Sequence, residues 1–599
     1  MKGTYFFPII IFALLTVFYA ALPNLRHCAL PGRSSCERRI GRSDAAIVAA
    51  ITLAYSALAF SALGNHVSPE SFAPMWEHSA ELELEAEDEV AQLALFCGVG
   101  EGSYLVEGSQ DGLSWQELCR FEQNYVSIFK WQFVELSEPR TLRFIRVHSS
   151  GPVYLGELVV KDGSGYYIPL SPAAGSEQGD NASLLVDEQH LVPAQETFLN
   201  STYFDEIYHA RTAWEHLNGV YPYEVSHPPL GKLIISLGML LFGTSPFGWR
   251  FMGTLFGALM LPVVYIFAKK LFGGKAVPTA CTAVLATDFM HFVQTRIATI
   301  DTYGVFFILL MYLFMYLYVS CDADEDRLPP LRYLALSGLF FGLGAAAKWT
   351  AIYAGAGLAV IWLGWWGFNR SRGMKLFLKN VAACLVFFVL LPALIYYLSY
   401  FAYGIASGLR FPGMFFSREY AKIVWDNQVF MFNYHSGLVA EHPYASKWYQ
   451  WMLDIRPILY YLKYFDDGTR SSFGAFVNPL LCWGGLLALP VLIFTAAARC
   501  DREAAFIVVA YLAQLLPWVF ISRLTFEYHY FPCTVFLVLA LGYVFKLIRL
   551  GRRQWKILVG GFVILSGALF VLFYPALSGL IVDNAKASSL LGWLPTWPF

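Results

Sequence analysis

The chain has 599 residues and a formal net charge of −2; 57% of its residues are hydrophobic, 17% aromatic and only 14% charged, against about 25% charged in an ordinary soluble domain. With a mean hydropathy of +0.49, these figures exclude a soluble enzyme, a disordered chain and a nucleic-acid binder, which would need a basic surface for phosphate backbones. The apolar excess calls for lipid as solvent, and the 10 cysteines follow neither a disulfide framework nor a zinc spacing.

A helix needs about 20 mostly apolar residues to cross the hydrocarbon core, and on that window the chain carries about twelve spans. Two, at 4–22 and 44–63, belong to an N-terminal segment 1–65. Six, at 248–268, 277–295, 302–320, 331–347, 350–367 and 378–401, form a bundle over 248–401. Four more, at 478–496, 503–521, 527–547 and 557–575, make a C-terminal region with an outer tail over 478–599. The run from 331 to 367 is interrupted only around Lys348 and reads as two helices or one kinked helix. Met1-Lys2 is a thin basic region and no small-x-small site follows, so the first stretch reads as a retained helix rather than a signal peptide. Arg26, Arg33, Arg38, Arg39 and Arg42, then Lys269, Lys270 and Lys275, then Arg370, Arg372, Lys375 and Lys379, then Lys546, Arg549, Arg552, Arg553 and Lys556 all fall on one side, the cytoplasm. Asp322, Asp324, Glu325 and Asp326 depart from this trend, but acidic residues count little in the rule. Both termini and two long segments, 64–247 and 402–477, then lie outside.

Composition changes after Gly64. Glu81-Leu82-Glu83-Leu84-Glu85 alternates polar and apolar, and short runs follow at Leu93–Phe96, Tyr104–Glu107 and Leu142–Val147, a pattern that predicts a β-sandwich over 66–170. Val106-Glu107-Gly108-Ser109-Gln110-Asp111-Gly112-Leu113-Ser114-Trp115 and Leu142–Val147 with Tyr154-Leu155-Gly156-Glu157 resemble the discoidin (coagulation factor 5/8 type C) domain. That resemblance implies a jelly roll with a glycan as ligand; a spacer without ligand is the plain alternative. Cys97 and Cys119 either pair outside the cell or are simply buried.

A first outer loop, 171–247, carries Phe204-Asp205-Glu206-Ile207-Tyr208-His209. On a helix Glu206 and His209 share a face, a pair suited to a divalent cation or to general-base work; a solvated helix capped by Asp205 is the alternative. In Ser226-His227-Pro228-Pro229-Leu230-Gly231-Lys232 the prolines bar a helix from running through His227, and 233–242 reads as an interfacial helix. Arg250, Arg296, Asp301, Lys348 and Arg523 stand at helix ends or inside apolar stretches, where a charge costs about 2.5–3.5 kcal/mol and commonly marks function. Several cations at one face suit a phosphate, with snorkelling at the interface as the alternative. His442-Pro443-Tyr444 to Arg456 and Arg523-Leu524-Thr525-Phe526-Glu527-Tyr528-His529-Tyr530 complete the outer set.

Phe204–His209, His227–Lys232, Pro246–Arg250, Gln294-Thr295-Arg296 with Asp301, Ala347-Lys348-Trp349, His442 to Arg456 and Thr525–Pro532 together resemble the protein O-mannosyltransferases, over about 200–575. The resemblance implies a polytopic α-helical membrane protein of the glycosyltransferase-C fold. It further implies a polyprenyl-phosphate-linked sugar, mannose in the first place, as donor, a Ser or Thr hydroxyl of an exported protein as acceptor, and inversion at the sugar. Asp205 is the candidate base; Glu206 and His227 orient it, the acceptor or a metal; Arg296, Lys348 and Arg523 neutralise the leaving phosphate. Asp301, His529, Tyr530, Lys232 and His442 join the substrate-binding set, and a divalent cation is an open cofactor, with Glu206 and His209 as its candidate ligands. The eukaryotic β-trefoil has no room in 402–477, and the sheet insertion is unusual for the family. Both point to a bacterial branch, in the plasma (inner) membrane with an extracytoplasmic active site. The alternatives are a related lipid-carrier glycosyltransferase acting on lipid A or a cell-wall glycan, a transporter, which the lack of an internal repeat disfavours, and a sugar sensor, for which so many helices are superfluous.

Overall fold

The computed structural model describes residues 6–20, 22, 38–75, 79–173, 179–321 and 327–599. Met1-Lys2, Arg26, Arg33 and the acidic residues Asp322, Asp324, Glu325 and Asp326 lie outside them. The chain divides into two compact units, Ala62–Glu224 with Lys232–Met252, and Met1–Ser61 with Val225–Gly231 and Gly253–Phe599.

The first unit is built on an eight-stranded antiparallel sheet. Its strands are β1 (Ala73–Pro74), β2 (Ser79–Gly100), β3 (Gly102–Ser109), β4 (Gln116–Gln123), β5 (Lys130–Ser150), β6 (Val153–Lys161), β7 (Tyr167–Ile168) and β8 (Leu170–Pro172), in the order β1-β6-β2-β5-β3-β4, with β7 on β6 and β8 on β2. The alternating runs at 81–85 and 93–96 are the two halves of one strand, β2. Its register with β5 shifts between Glu83 and Asp88 and again between Val90 and Gln92, and bulges of this kind bend a strand. Leu82 and Leu84 from one half and Leu93 and Leu95 from the other meet Val106, Ile145, Val147, Leu155 and Leu158 in one buried cluster. The sheet therefore closes over a single core. The Gly108–Trp115 motif forms the β3–β4 turn: Asp111 Oδ1 accepts from the N–H groups of Leu113 and Ser114, each at 2.8 Å, and Gly112 takes the positive φ of +71° that glycine tolerates. Cys97 and Cys119 are both free thiols, so the pairing is not made.

Nine described helices are long and apolar enough to cross a bilayer, ten if the bent pair Ala276–Ala286 and Phe289–Thr295 (57°) counts as one span. The spans expected at 4–22 and 331–347 are the helices Phe6–Ala20 and Leu331–Ala347, of 15 and 17 residues. The run at 331–367 is two helices, because Lys348 is extended (φ −157°, ψ 134°) at the end of Leu331–Ala347 and Thr350–Phe368 starts afresh. Gly338 permits close packing there: a Cβ on it would meet the Phe387 carbonyl at 2.1 Å. Basic residues predicted to share a face meet around one acid, Glu503, which accepts from Arg38 and Lys546 at 2.8 Å each. The segment 402–477 holds the helix Arg418–Gly437 and a hairpin of β9 (Ile458–Tyr464) and β10 (Thr469–Ala475), on which the C-terminal tail lays β11 (Val582–Asp583).

Gln123 is buried at the end of β4; its Nε2 donates to the carbonyls of Gly98, Val99 and Gly100 at 3.0–3.2 Å and its Oε1 accepts from Tyr104 Oη at 2.9 Å. Gln123→Leu orphans these groups and is expected to lower stability by about 1–3 kcal/mol, read as a lower Tm of the full-length protein.

Candidate active site

In the first unit Asp205 occupies the N-cap position of the helix Glu206–Leu217, yet its side chain makes no capping hydrogen bond. It is half-buried. The residue before it, Phe204, has φ +47°, a left-handed conformation that costs a non-glycine residue roughly 1–2 kcal/mol. The surroundings hold that strain in place. Thr202 donates its backbone N–H to the Phe129 carbonyl at 3.2 Å and its hydroxyl to the Ile128 carbonyl at 2.5 Å, which pins the loop to the turn ahead of β5.

Glu206 has a different task from its neighbour. It is 0% exposed and faces Arg250, 1% exposed, in a bidentate pair with both contacts at 2.7 Å. Arg250 spends its other donors on the carbonyls of Leu63, Phe198 and Ser201 at 2.7–2.9 Å, so all five N–H groups of the guanidinium are used, and it lies over the Tyr203 ring at 4.7 Å. Trp249 Nε1 and the Tyr203 N–H also donate to Glu206, at 3.3 Å each. A carboxylate so occupied serves as the structural partner of Arg250. The pair clamps the 198–205 loop.

Lys232 is also held in a buried ion pair. It is fully buried at the start of the helix Leu230–Phe242 and donates to Glu224 Oε2 at 2.5 Å and to the Glu224 carbonyl at 2.7 Å. Glu215 accepts from Arg211 at 2.8 Å and from the Tyr223 N–H at 2.7 Å, while Thr212 Oγ1 accepts from the Glu224 N–H at 3.1 Å. The loop leading to the His-Pro-Pro segment is thus tied down on the helix that Asp205 heads.

In the second unit Val225–Gly231 runs along the helix Arg418–Gly437. Asn427 Nδ2 donates to the Val225 carbonyl at 2.9 Å and His435 Nε2 to the Ser226 carbonyl at 2.8 Å. His227 and His435 stand with ring centroids 5.2 Å apart. As the prolines require, helix begins only at Leu230. Lys348, in the break between its two helices, pairs with Asp301 at 2.6 Å and lies 5.6 Å from the Tyr528 ring centroid. Arg523 is half-buried, and among the described residues it donates only to the carbonyl of its neighbour Leu524, at 3.4 Å. Burial first, then repulsion from His227, Arg523 and Lys348, holds His435 down to about 4. These residues build a region of positive potential suited to an anion. Sequence reasoning missed His435, which sits on a polar helix with no motif around it.

Four other residues of the expected substrate-binding set make contacts within the second unit. Arg296 donates to the carbonyls of Ala59 and Ser61 at 3.0 and 2.9 Å, satisfying groups that the end of the helix Arg42–Phe60 leaves without partners. Tyr530 is fully buried with its hydroxyl 2.7 Å from that of Tyr511. His529 is buried among Trp451, Trp518 and Tyr528. His442 accepts from the Tyr444 N–H at 3.2 Å and packs on Phe526, which orders the 442–446 turn.

Two family models match. One, described as dolichyl-phosphate-mannose-protein mannosyltransferase, covers 226–396, and the other, the C-terminal four-transmembrane region of protein O-mannosyltransferase, covers 420–597. The polyprenol-phosphate-mannose–protein mannosyltransferase of Mycobacterium tuberculosis is 26% identical over 459 residues, 66% of this chain and 86% of that protein. The Corynebacterium glutamicum protein of the same name is 25% identical over 430 residues, covering 62% and 81%. Among solved structures, the S. cerevisiae protein O-mannosyltransferase Pmt1–Pmt2 complex, bound to the sugar donor, matches with TM-score 0.58 at 14% identity over 66% of this chain and 89% of that one. The fold is thus that of the multispanning glycosyltransferases of the C class. The chain belongs to the protein O-mannosyltransferase family and is a membrane glycosyltransferase.

Removing one partner of a fully buried ion pair leaves an uncompensated charge. Arg250→Leu is expected to cost about 3–5 kcal/mol and to lower both Tm and folded yield in detergent, whereas Arg523→Leu leaves Tm nearly unchanged. A second expectation concerns acid. An unfolded histidine takes up its proton near 6.5 and His435 only near 4, so folding opposes its protonation. That contribution to stability is complete above pH 6.5 and is lost as pH falls toward 4. His435→Gln is expected to flatten this stretch of the Tm–pH profile relative to the parent protein.

Proposed function

We propose that the chain transfers mannose from a polyprenyl-phosphate donor to Ser or Thr hydroxyls of exported proteins, at the extracytoplasmic face of the plasma membrane and with inversion at the sugar. The observation that carries the reading is the position of Asp205. It heads the helix Glu206–Leu217, half-buried, on a loop locked by Glu206 and Arg250. Family membership supplies the donor and acceptor classes, since the relatives' names specify polyprenol-phosphate-mannose and protein.

The transfer needs a base for the acceptor and a counter-charge for the leaving group. Asp205 takes the proton of the Ser or Thr hydroxyl as its oxygen attacks the anomeric carbon. The bond from that carbon to the phosphate oxygen breaks, and the electron pair leaves with the polyprenyl phosphate. Lys348 and Arg523 neutralise the phosphate that is released. His227, fixed at its backbone by the neighbouring contacts of Val225 and Ser226, positions the acceptor or the phosphate by hydrogen bonding. The discoidin-like turn of the inserted sheet extends the reading to a glycan ligand for that domain.

Membranes supplied with radiolabelled polyprenyl-phosphate mannose are expected to label exported protein, with the label released by base-catalysed elimination. Asp205→Asn, at equal protein level and Tm, is expected to lower turnover by about 10²–10⁴-fold. Near-normal turnover would end the assignment of Asp205 as base, and label recovered in lipid or cell-wall glycan instead of protein would end the assignment of the acceptor.

A further inference from the structure

Strand β6 carries a carboxylate that no described neighbour neutralises. Glu157 is fully buried. Its Oε2 accepts from the Glu188 N–H at 3.2 Å, while its Oε1 has no hydrogen-bond partner among the described residues. Asp187 and Glu188 add two more carboxylates, so that one oxygen from each of the three acids lies within 4.8 Å of the others. Both added side chains are held in place. Asp187 accepts from Ser71 Oγ at 2.9 Å, and Glu188 Oε2 accepts from the backbone N–H groups of Glu70 and Ser71 at 2.8 and 3.2 Å. The backbone is shaped to bring them together. The register of β6 on β2 shifts at Gly156, from Phe96 opposite Glu157 to Cys97 opposite Leu155, and a bulge re-aims the side chain beside it. The Leu158 N–H donates to the Leu185 carbonyl at 2.8 Å, which leads the 185–188 segment along the strand.

Gathering three carboxylates around a buried, unpartnered oxygen is unfavourable unless a cation or a proton compensates. We propose that Glu157, Asp187 and Glu188 bind one Ca²⁺-sized divalent cation, which staples the 185–188 segment to β6 and to the chain at Ser71. Oxygen ligands alone select a hard cation, and Ca–O bonds of about 2.3–2.6 Å place ligands on opposite sides of the ion roughly 4.6–5.2 Å apart, in keeping with the span of the cluster. Mg²⁺, with bonds of about 2.0–2.1 Å and a strict octahedron, requires tighter spacing. Asp187 is exposed, which leaves an entry path and room for water ligands.

The test uses the full-length protein in detergent after EGTA treatment, titrated with ⁴⁵Ca²⁺ and separately with Mg²⁺ while thermal unfolding is followed. One Ca²⁺ per chain is expected, with Tm rising as the ion concentration rises, because the ion binds the folded state. Glu157→Gln and Asp187→Asn are each expected to weaken binding at least ~10-fold; the latter alters an exposed side chain and keeps the fold available for the measurement. Lack of Ca²⁺ binding and of a Tm shift in the parent protein, or full binding by Asp187→Asn, overturns the site. Tighter binding of Mg²⁺ than of Ca²⁺ overturns the class of ion.

Discussion

Burying an arginine and a glutamate beyond the reach of water is worthwhile only if every donor and acceptor finds a partner, and the Glu206–Arg250 pair meets that condition. The guanidinium reaches three carbonyls from two stretches of chain, Leu63 on one side and Phe198 and Ser201 on the other. One cation thus gathers the entry to the inserted domain, the exit from it and the start of the helix Pro246–Phe272 at a single point. The strained backbone at Phe204 depends on this clamp, and so does the placement of Asp205 one residue later. Two adjacent acids with the same side-chain chemistry differ in setting: Glu206 is fully buried against Arg250, while Asp205 is half-buried at the head of the helix.

The inserted sheet has a part in the same arrangement. Its contacts with the loop at Thr202 come from the turn ahead of β5, which β2 holds from Glu135 down to Lys130. A chain of ordinary ladder hydrogen bonds therefore runs from the core of the sheet to the segment that carries Asp205. The insertion serves as a support for the outer loop as well as a separate domain.

The spans were legible in the sequence because crossing a bilayer imposes length and apolarity on local sequence; the expected stretches are helical, with 277–295 broken into the bent pair Ala276–Ala286 and Phe289–Thr295. The strand segments were legible for the same local reason, through alternation. That 81–85 and 93–96 belong to one strand was hidden, because bulges interrupt the period that reveals a strand. At the site, residue types were legible and partnerships were not. Arg250 and Glu206 are far apart in sequence, as are Arg296 and the carbonyls of Ala59 and Ser61, and Lys232 finds Glu224 only because the intervening prolines turn the chain back. A charge in an apolar context signals that something compensates it; whether the partner is a substrate or another part of the protein is decided by tertiary structure. His435 lacked even that signal, since an isolated histidine on a polar helix is unremarkable until His227 is set against it.

The backbone contacts that close the outer segments also count membrane crossings. Two residues joined by a hydrogen bond outside the hydrocarbon lie at the same face, so an even number of crossings must separate them. Arg296 and Ser61 enclose two, Pro246–Phe272 and the bent pair. Ser446 and Thr525 enclose two more, and the pairing of Thr469 with Asp583 encloses four. Asn427 and Val225 enclose five helices of full length or composition, together with the 17-residue helix Leu331–Ala347. With the bent pair counted as one span and the 13-residue helix Leu230–Phe242 lying along the interface, Leu331–Ala347 as a crossing makes this number even too. These hydrogen bonds thus constrain the topology of the chain independently of the distribution of lysine and arginine.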